Sequence, residues 1–226
     1  MKKYATAFLC ALLALALCGV AVAETVYVTI ADAQGQLVMV NAAIDVTDVD
    51  ADGALTINDA LYAAHEAAYE GGAEAGYAAA DAGYGLSISK LWGEENGGSY
   101  GYYLNDASAY SLADPVSEGD YLNAFVYTDL EAWSDQYCTF GYREVLADSG
   151  ANIKLTLNMM TFDADWNPVS MPVEGAIITI DGEDTDYVTD AEGNVQFTLD
   201  AAGDHLISAR SDSAILVPPV CIVTVK

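Results

Sequence analysis

Four aspartates, a glycine and a threonine stand in this chain at the spacing a hard cation needs. The stretch is Asp48-Val49-Asp50-Ala51-Asp52-Gly53-Ala54-Leu55-Thr56-Ile57-Asn58-Asp59. Counted from Asp48, acidic residues occupy positions 1, 3, 5 and 12 and glycine position 6, the arrangement by which a loop of about twelve residues gathers oxygens around Ca2+. Asp48, Asp50 and Asp52 are each expected to give a carboxylate oxygen, Ala54 its backbone carbonyl, Thr56 a water-mediated contact and Asp59 both oxygens. Gly53 permits the sharp turn that brings these groups together. Leu55, between two ligand positions, is expected to point into the core. Aspartate at the last position is one methylene shorter than glutamate, which narrows the cage and lets Mg2+ compete.

Two elements must hold this loop. Before it, apolar and β-branched residues over 25–30 and 37–44 flank the turn chemistry of Asp32-Ala33-Gln34-Gly35-Gln36, which predicts a β-hairpin. After it, Ile57, Leu61, Ala64 and Ala68 recur at helical spacing and predict a helix over 58–70, stopped by Gly71-Gly72. A conventional EF-hand has a helix on both sides of its loop, and this one has only the exit helix. His65 lies one position off the apolar face and reads as a surface or packing histidine. Loop and helix together resemble one repeat of a type I dockerin. Dockerins use two repeats and this chain has no second copy, so the resemblance implies the metal ligands and not a cohesin partner. Asp163-Ala164-Asp165-Trp166-Asn167 begins in the same way, with Glu174 at the twelfth place. Pro168 holds the glycine position, so a polar turn is expected there.

Other residues carry weaker chemical signals. Trp92, Tyr100, Tyr102, Tyr103 and Tyr110 cluster around one predicted hairpin and are the candidate stacking platform for a sugar or flat ligand, against half-buried packing as the alternative. The two histidines, His65 and His205, fall in different predicted domains, and no Ser, Cys or Lys nucleophile has a recognisable setting. A non-catalytic protein is expected.

The first residues read as a secretory leader over 1–23: Lys2 and Lys3, an apolar run, then Ala21-Val22-Ala23 as a small-residue cleavage site. No later stretch is apolar for long enough to span a bilayer, so the mature chain is expected to lack an integral membrane segment. The formal net charge of the full chain is −27, and beyond the leader only Lys90, Arg143, Lys154, Arg210 and Lys226 are positive. Nucleic acid and anionic membrane are poor partners for such a surface. Cys138 and Cys221 remain after leader removal. Secretion permits a disulfide between them, with two buried free thiols as the alternative.

The mature length accommodates two modest domains, over 24–130 and 153–226, joined by a linker with a strand over 131–152. In the first, 73–85 reads as a weak helix or a crossover, and strands follow at 86–92, 100–104 and 121–128. Two strands, a helix and three strands make an α+β arrangement of the β-grasp kind. Gly101-Tyr102-Tyr103-Leu104-Asn105-Asp106, Ser117-Glu118-Gly119-Asp120-Tyr121-Leu122 and Phe125-Val126-Tyr127 resemble a bacterial family of unknown function similar to the C-terminal β-grasp domain of transcobalamin. That resemblance makes a soluble small molecule, corrinoid included, a candidate ligand.

In the second domain, short strands at 153–159, 176–180, 187–189, 195–199, 205–210 and 221–225 are separated by Gly, Asp and Pro, which predicts an all-β sandwich. Val173-Glu174-Gly175-Ala176, Thr189-Asp190-Ala191-Glu192-Gly193-Asn194-Val195 and Ala202-Gly203-Asp204-His205 resemble the prealbumin-like and carboxypeptidase-regulatory-like Ig-type domains of secreted proteins. Some domains of that group carry a Lys–Asn isopeptide bond. The strand 221–225 has no Asn or Asp to meet Lys154, so none is expected. The sequence therefore predicts a secreted, calcium-stabilised binding protein for a small molecule or surface ligand. The alternatives are a structural or adhesive surface module and a carbohydrate-binding accessory module.

Overall fold

Alternating apolar residues on both sides of the Asp32 turn dictate the first element pair. The computed structural model describes residues 23–83, 85–165 and 167–226; all but the last residue of the leader lie outside these. Strand β1 (Glu24–Ala31) pairs antiparallel with β2 (Leu37–Val46). Val26, Val28 and Ile30 of β1 and Val46 of β2 are fully buried. Helix α1 (Ile57–Ala68) lays Ile57, Ala60, Leu61 and Ala64 onto this face, all fully buried, as an i, i+3, i+4, i+7 stripe must. Ala68, expected on that stripe, is exposed.

The stretch over 73–85, expected to be a weak helix or a crossover, holds a short helix and a strand that was not expected. A short helix α2 (Gly72–Gly76) is followed by β3 (Ala78–Asp81). β3 pairs with β4 (Leu86–Lys90) as a separate two-stranded ribbon. This corrects the expectation that residues 86–92 join the main sheet. After it come β5 (Tyr100–Leu104), β6 (Ala107–Ser108) and β7 (Tyr121–Val126). The main sheet runs β2-β1-β7-β5-β6, with β7 parallel to β1 and antiparallel to β5.

The second unit is an all-β sandwich, and the chain as a whole is mostly β. Its strands are β8 (Gln136–Phe140), β9 (Glu144–Ala147), β10 (Asn152–Phe162), β11 (Pro168–Pro172), β12 (Ile177–Ile180), β13 (Glu183–Val188), β14 (Asn194–Thr198), β15 (Gly203–Arg210), β16 (Leu216–Val217) and β17 (Cys221–Val225). One sheet is ordered β11-β10-β8-β16, with β14 also on β10; the other is β13-β12-β15-β17-β9. Ile153, Leu155 and Leu157 of β10 meet Ile178, Ile207 and Val223 of the facing sheet in one core. The segment read as a linker supplies a strand to each sheet. β8 pairs with β10 and β9 pairs in parallel with β17. One strand is expected within 131–152 and the structure has two; Tyr137, Cys138 and Phe140 of β8 are buried. Cys138 and Cys221 are free thiols, both buried in this core. The free-thiol alternative therefore holds over the disulfide, and burial pushes both thiols up to about 12.

The units meet through a third apolar cluster of Ala31, Phe125, Tyr137 and Val217. Tyr103 stacks on Tyr137 with ring centroids 3.7 Å apart and planes 10° from parallel. The Tyr137 hydroxyl donates to Asp106 at 2.9 Å, and Arg143 grips the other Asp106 oxygen at 2.7 Å. The Arg143 guanidinium also lies 4.4 Å over the Tyr121 ring.

Candidate metal centre

The loop that follows β2 turns back on itself through positive backbone angles at Ala51 (φ 61°) and Gly53 (φ 92°). Asp48 sets this turn: its two oxygens accept the N–H groups of Asp52 (3.1 Å) and Gly53 (2.9 Å). Asp52 in turn accepts the N–H of Ala54 at 2.9 Å. The result brings one oxygen each of Asp48, Asp50 and Asp52 within 4.8 Å of one another. Asp48 is half-buried and the other two are exposed. The Asp50 carboxyl is held above the usual carboxylate range by desolvation first and then by the negative charges of Asp52, Asp59 and Asp48. Three hard oxygen donors crowded together with no cationic side chain among them match the chemistry of an oxygen-liganded divalent ion.

Three of the six predicted ligands are thus brought together, and two others are used differently. Asp59 is fully buried and stands outside the triad. One of its oxygens accepts the Val49 N–H (2.9 Å); the other accepts the Thr56 N–H (2.9 Å) and hydroxyl (2.7 Å). The Thr56 hydroxyl accepts the Asp59 N–H in return, which closes a capping box at the start of α1. Thr56, expected to hold a water for the metal, spends its hydroxyl on the helix cap. The sequence carried that signal, a threonine three residues before an acid at a helix start. Ala54 donates its N–H to Asp52.

The exit of the loop is pinned from the other side. Leu55 packs against the core as expected, and its carbonyl accepts the Val116 N–H at 2.9 Å. Ile57 and Asn58 donate their N–H groups to Asp114 (3.0 Å) and Leu112 (2.9 Å). The Asn58 side chain accepts the Tyr77 hydroxyl at 2.9 Å and reaches Asp50 at 3.4 Å. The loop 109–116 and Tyr77, which no local spacing ties to the acidic loop, therefore support it.

The aromatic platform does not form. Tyr100 and Tyr102 turn toward the core under α1, and Tyr103 on the opposite face is committed to the junction with Tyr137. A strand sends alternate side chains to opposite faces, so these three tyrosines cannot share one surface. Trp92 packs against His65 and Tyr69, and Tyr110 alone is open, at 82% exposure. His65 is fully buried, with Nδ1 2.7 Å from the Leu61 carbonyl and Nε2 accepting the Trp92 N–H at 3.1 Å. It is a packing histidine. Asp163 accepts the N–H groups of Asp165 and Asn167, both at 2.9 Å, which makes that stretch the polar turn expected of it.

No protein-family model matches this chain, and no curated protein matches it. Among solved structures, the N-terminal four Ig domains of Dscam1 isoform 4.44 align at 10% identity and a TM-score of 0.26, over 47% of this chain and 23% of that one. Those of isoform 6.9 align at 11% identity and a TM-score of 0.26, over 66% of this chain and 36% of that one. This chain spans well under half the length of either. A likeness at that TM-score carries no argument, so the sandwich assignment rests on the strand pairing described above. Among the described residues, no helix is long and apolar enough to cross a membrane.

Proposed function

We propose that this chain is a secreted, non-catalytic binding module whose first unit is stapled by calcium. The observation that carries the reading is the Asp48, Asp50 and Asp52 triad, set by backbone hydrogen bonds and lying between the edge strand β2 and helix α1. Those three carboxylates hold the ion, with the Ala54 carbonyl as the further oxygen in register. Asp59 ties the loop to the helix instead of closing the cage. Bound calcium cancels the repulsion that burdens Asp50 and locks β2 to α1. The hairpin, the helix and the return of β7 in parallel beside β1 support the β-grasp reading of this unit.

Binding of a small molecule is favoured over a pure spacer role by a cleft of about 420 Å3 at the junction, lined by Tyr103, Ala107, Ser108, Met160, Phe162 and Pro168. Apolar clefts of roughly 300–1,000 Å3 at unit boundaries are where small ligands bind. A thermal-shift series with Ca2+, Mg2+, EDTA, corrinoids and polysaccharides tests both parts. Calcium alone is expected to raise the melting temperature, and a true ligand to raise it further by mass action. A response to calcium with none to any ligand returns the chain to the structural, adhesive class.

A further inference from the structure

The cleft at the junction is built from one turn of each unit, and those turns bring little that a polar guest could use. From the first unit come Asn105 and Asp106, both in the left-handed region at φ 50° and 65°, and β6, whose two residues Ala107 and Ser108 are exposed. From the second come Met160 and Phe162, which alternation along β10 places on one face, with Pro168 in register beside Phe162. Tyr103 and Met160 pack against the aromatic cluster that joins the units, so the inner end of the cleft is continuous with that junction. The cleft is open to solvent and measures about 420 Å3.

Its polar side chains are spent elsewhere. Asn105 donates to Asp120 at 2.7 Å and accepts the Tyr121 N–H at 3.0 Å. Asp106 takes the Tyr137 hydroxyl on one oxygen and Arg143 on the other, so its charge is matched. What remains is the phenol of Tyr103 and two short hydroxyls, on Ser108 and Thr161. A sugar entering here would give up water on most of its hydroxyls, and a corrinoid on its rim of amides, with too few partners to replace it. An anion meets no cationic side chain in the lining, in a chain of formal net charge −27. A cation meets no unmatched carboxylate there. An aromatic ring gains most: the Met160 thioether pairs favourably with ring edges, and Tyr103, Phe162 and Pro168 present carbon faces.

We propose that the junction cleft takes a neutral aromatic molecule with few polar groups, and that neither sugars nor corrinoids occupy it. The proposal rests on the small-molecule reading above and narrows it to one ligand chemistry.

Two dyes with the same ring system test it on the full folded chain in calcium. N-phenyl-1-naphthylamine is neutral, and 1-anilinonaphthalene-8-sulfonate adds one negative charge. The native chain is expected to bind the neutral dye saturably at one site, about tenfold or more tighter than the sulfonate. Ala107→Trp fills an exposed position of the cleft, and Phe162→Ala removes part of its wall. Each is expected to weaken the neutral dye by about tenfold while the melting curve stays native. No saturable uptake of the neutral dye, equal or tighter binding of the sulfonate, or uptake unmoved by both variants overturns the proposal. A sugar or corrinoid that raises the melting temperature of the native chain but not of Ala107→Trp also overturns it, while keeping the cleft as a binding site. The calcium dependence of melting, read on the same samples, reports on the staple separately.

Discussion

Asp59 carries two duties that a ligand list would merge. Its buried carboxylate accepts from Val49, from the Thr56 backbone and from the Thr56 hydroxyl, so it shapes the loop before any ion arrives. Asp59→Ala is therefore expected to cost about 2–4 kcal/mol in EDTA as well as in calcium, the sum of a lost cap and an orphaned N–H. Asp50→Asn is expected to leave stability in EDTA unchanged or slightly higher and to lose the calcium increment. Urea unfolding with and without EDTA separates the two. The histidines titrate in opposite directions. Burial lowers the His65 value from its ordinary 6.5, so its neutral form stabilises the fold above pH 6.5 and stability falls as the pH drops below that. His205 meets acceptors at both ring nitrogens, Asp181 at 2.7 Å and the Ala201 carbonyl at 2.9 Å. Its value is raised, by the Asp181 bond first and the Ala201 bond next. Its contribution is full below 6.5 and is lost as the pH climbs through the raised value. NMR titration of the two imidazoles checks both directions; a His205 midpoint below that of His65 contradicts them.

At the scale of elements, one five-residue turn accounts for several of the acids. Asp32, Asp163 and Asp190 each accept two backbone N–H groups of their own turn, two and four residues on; the first two close hairpins, and the third carries the chain from one sheet of the sandwich to the other. These aspartates are structural, which is why a chain so rich in acid yields one triad among the described residues. In the turn after β13, Gly193 has φ 74°, and a methyl group there would run into the Leu157 carbonyl. Gly193→Ala is expected to cost about 1–3 kcal/mol by chemical denaturation, whereas Gly53, with φ 92° and open space around it, suffers only backbone strain. Legibility in the sequence followed the same physics. The β1–β2 hairpin, α1, β5, β7 and six sandwich strands show in periodic patterns. β3 is Ala-Ala-Ala-Asp, a run of poor strand formers that only its partner β4 makes into a strand. The convergence of Asp48, Asp50 and Asp52 was readable because their spacing is local. The split of Tyr103 from Tyr100 and Tyr102 follows from the period of two along a strand, whereas the packing of Trp92 on His65 and Tyr69 and the exposure of Tyr110 are set by tertiary packing that the sequence does not display.

The whole molecule is held as one body by a junction of stacked aromatics around a single ion pair. Asp106 lies at its centre, bonded to Tyr137 and Arg143. Arg143→Ala removes the ion pair and the cation–π contact with Tyr121 together, and is expected to cost about 2–3 kcal/mol and to split one calorimetric transition into two. A single sharp transition in that variant contradicts a coupled junction. The central claim is the calcium staple, and a melting curve in calcium against EDTA tests it most directly. The account predicts a melting temperature that climbs with free Ca2+, falls in EDTA, and loses this dependence in Asp48→Asn and Asp52→Asn while both remain folded. Identical curves in millimolar-range calcium and in EDTA for the native chain would contradict it.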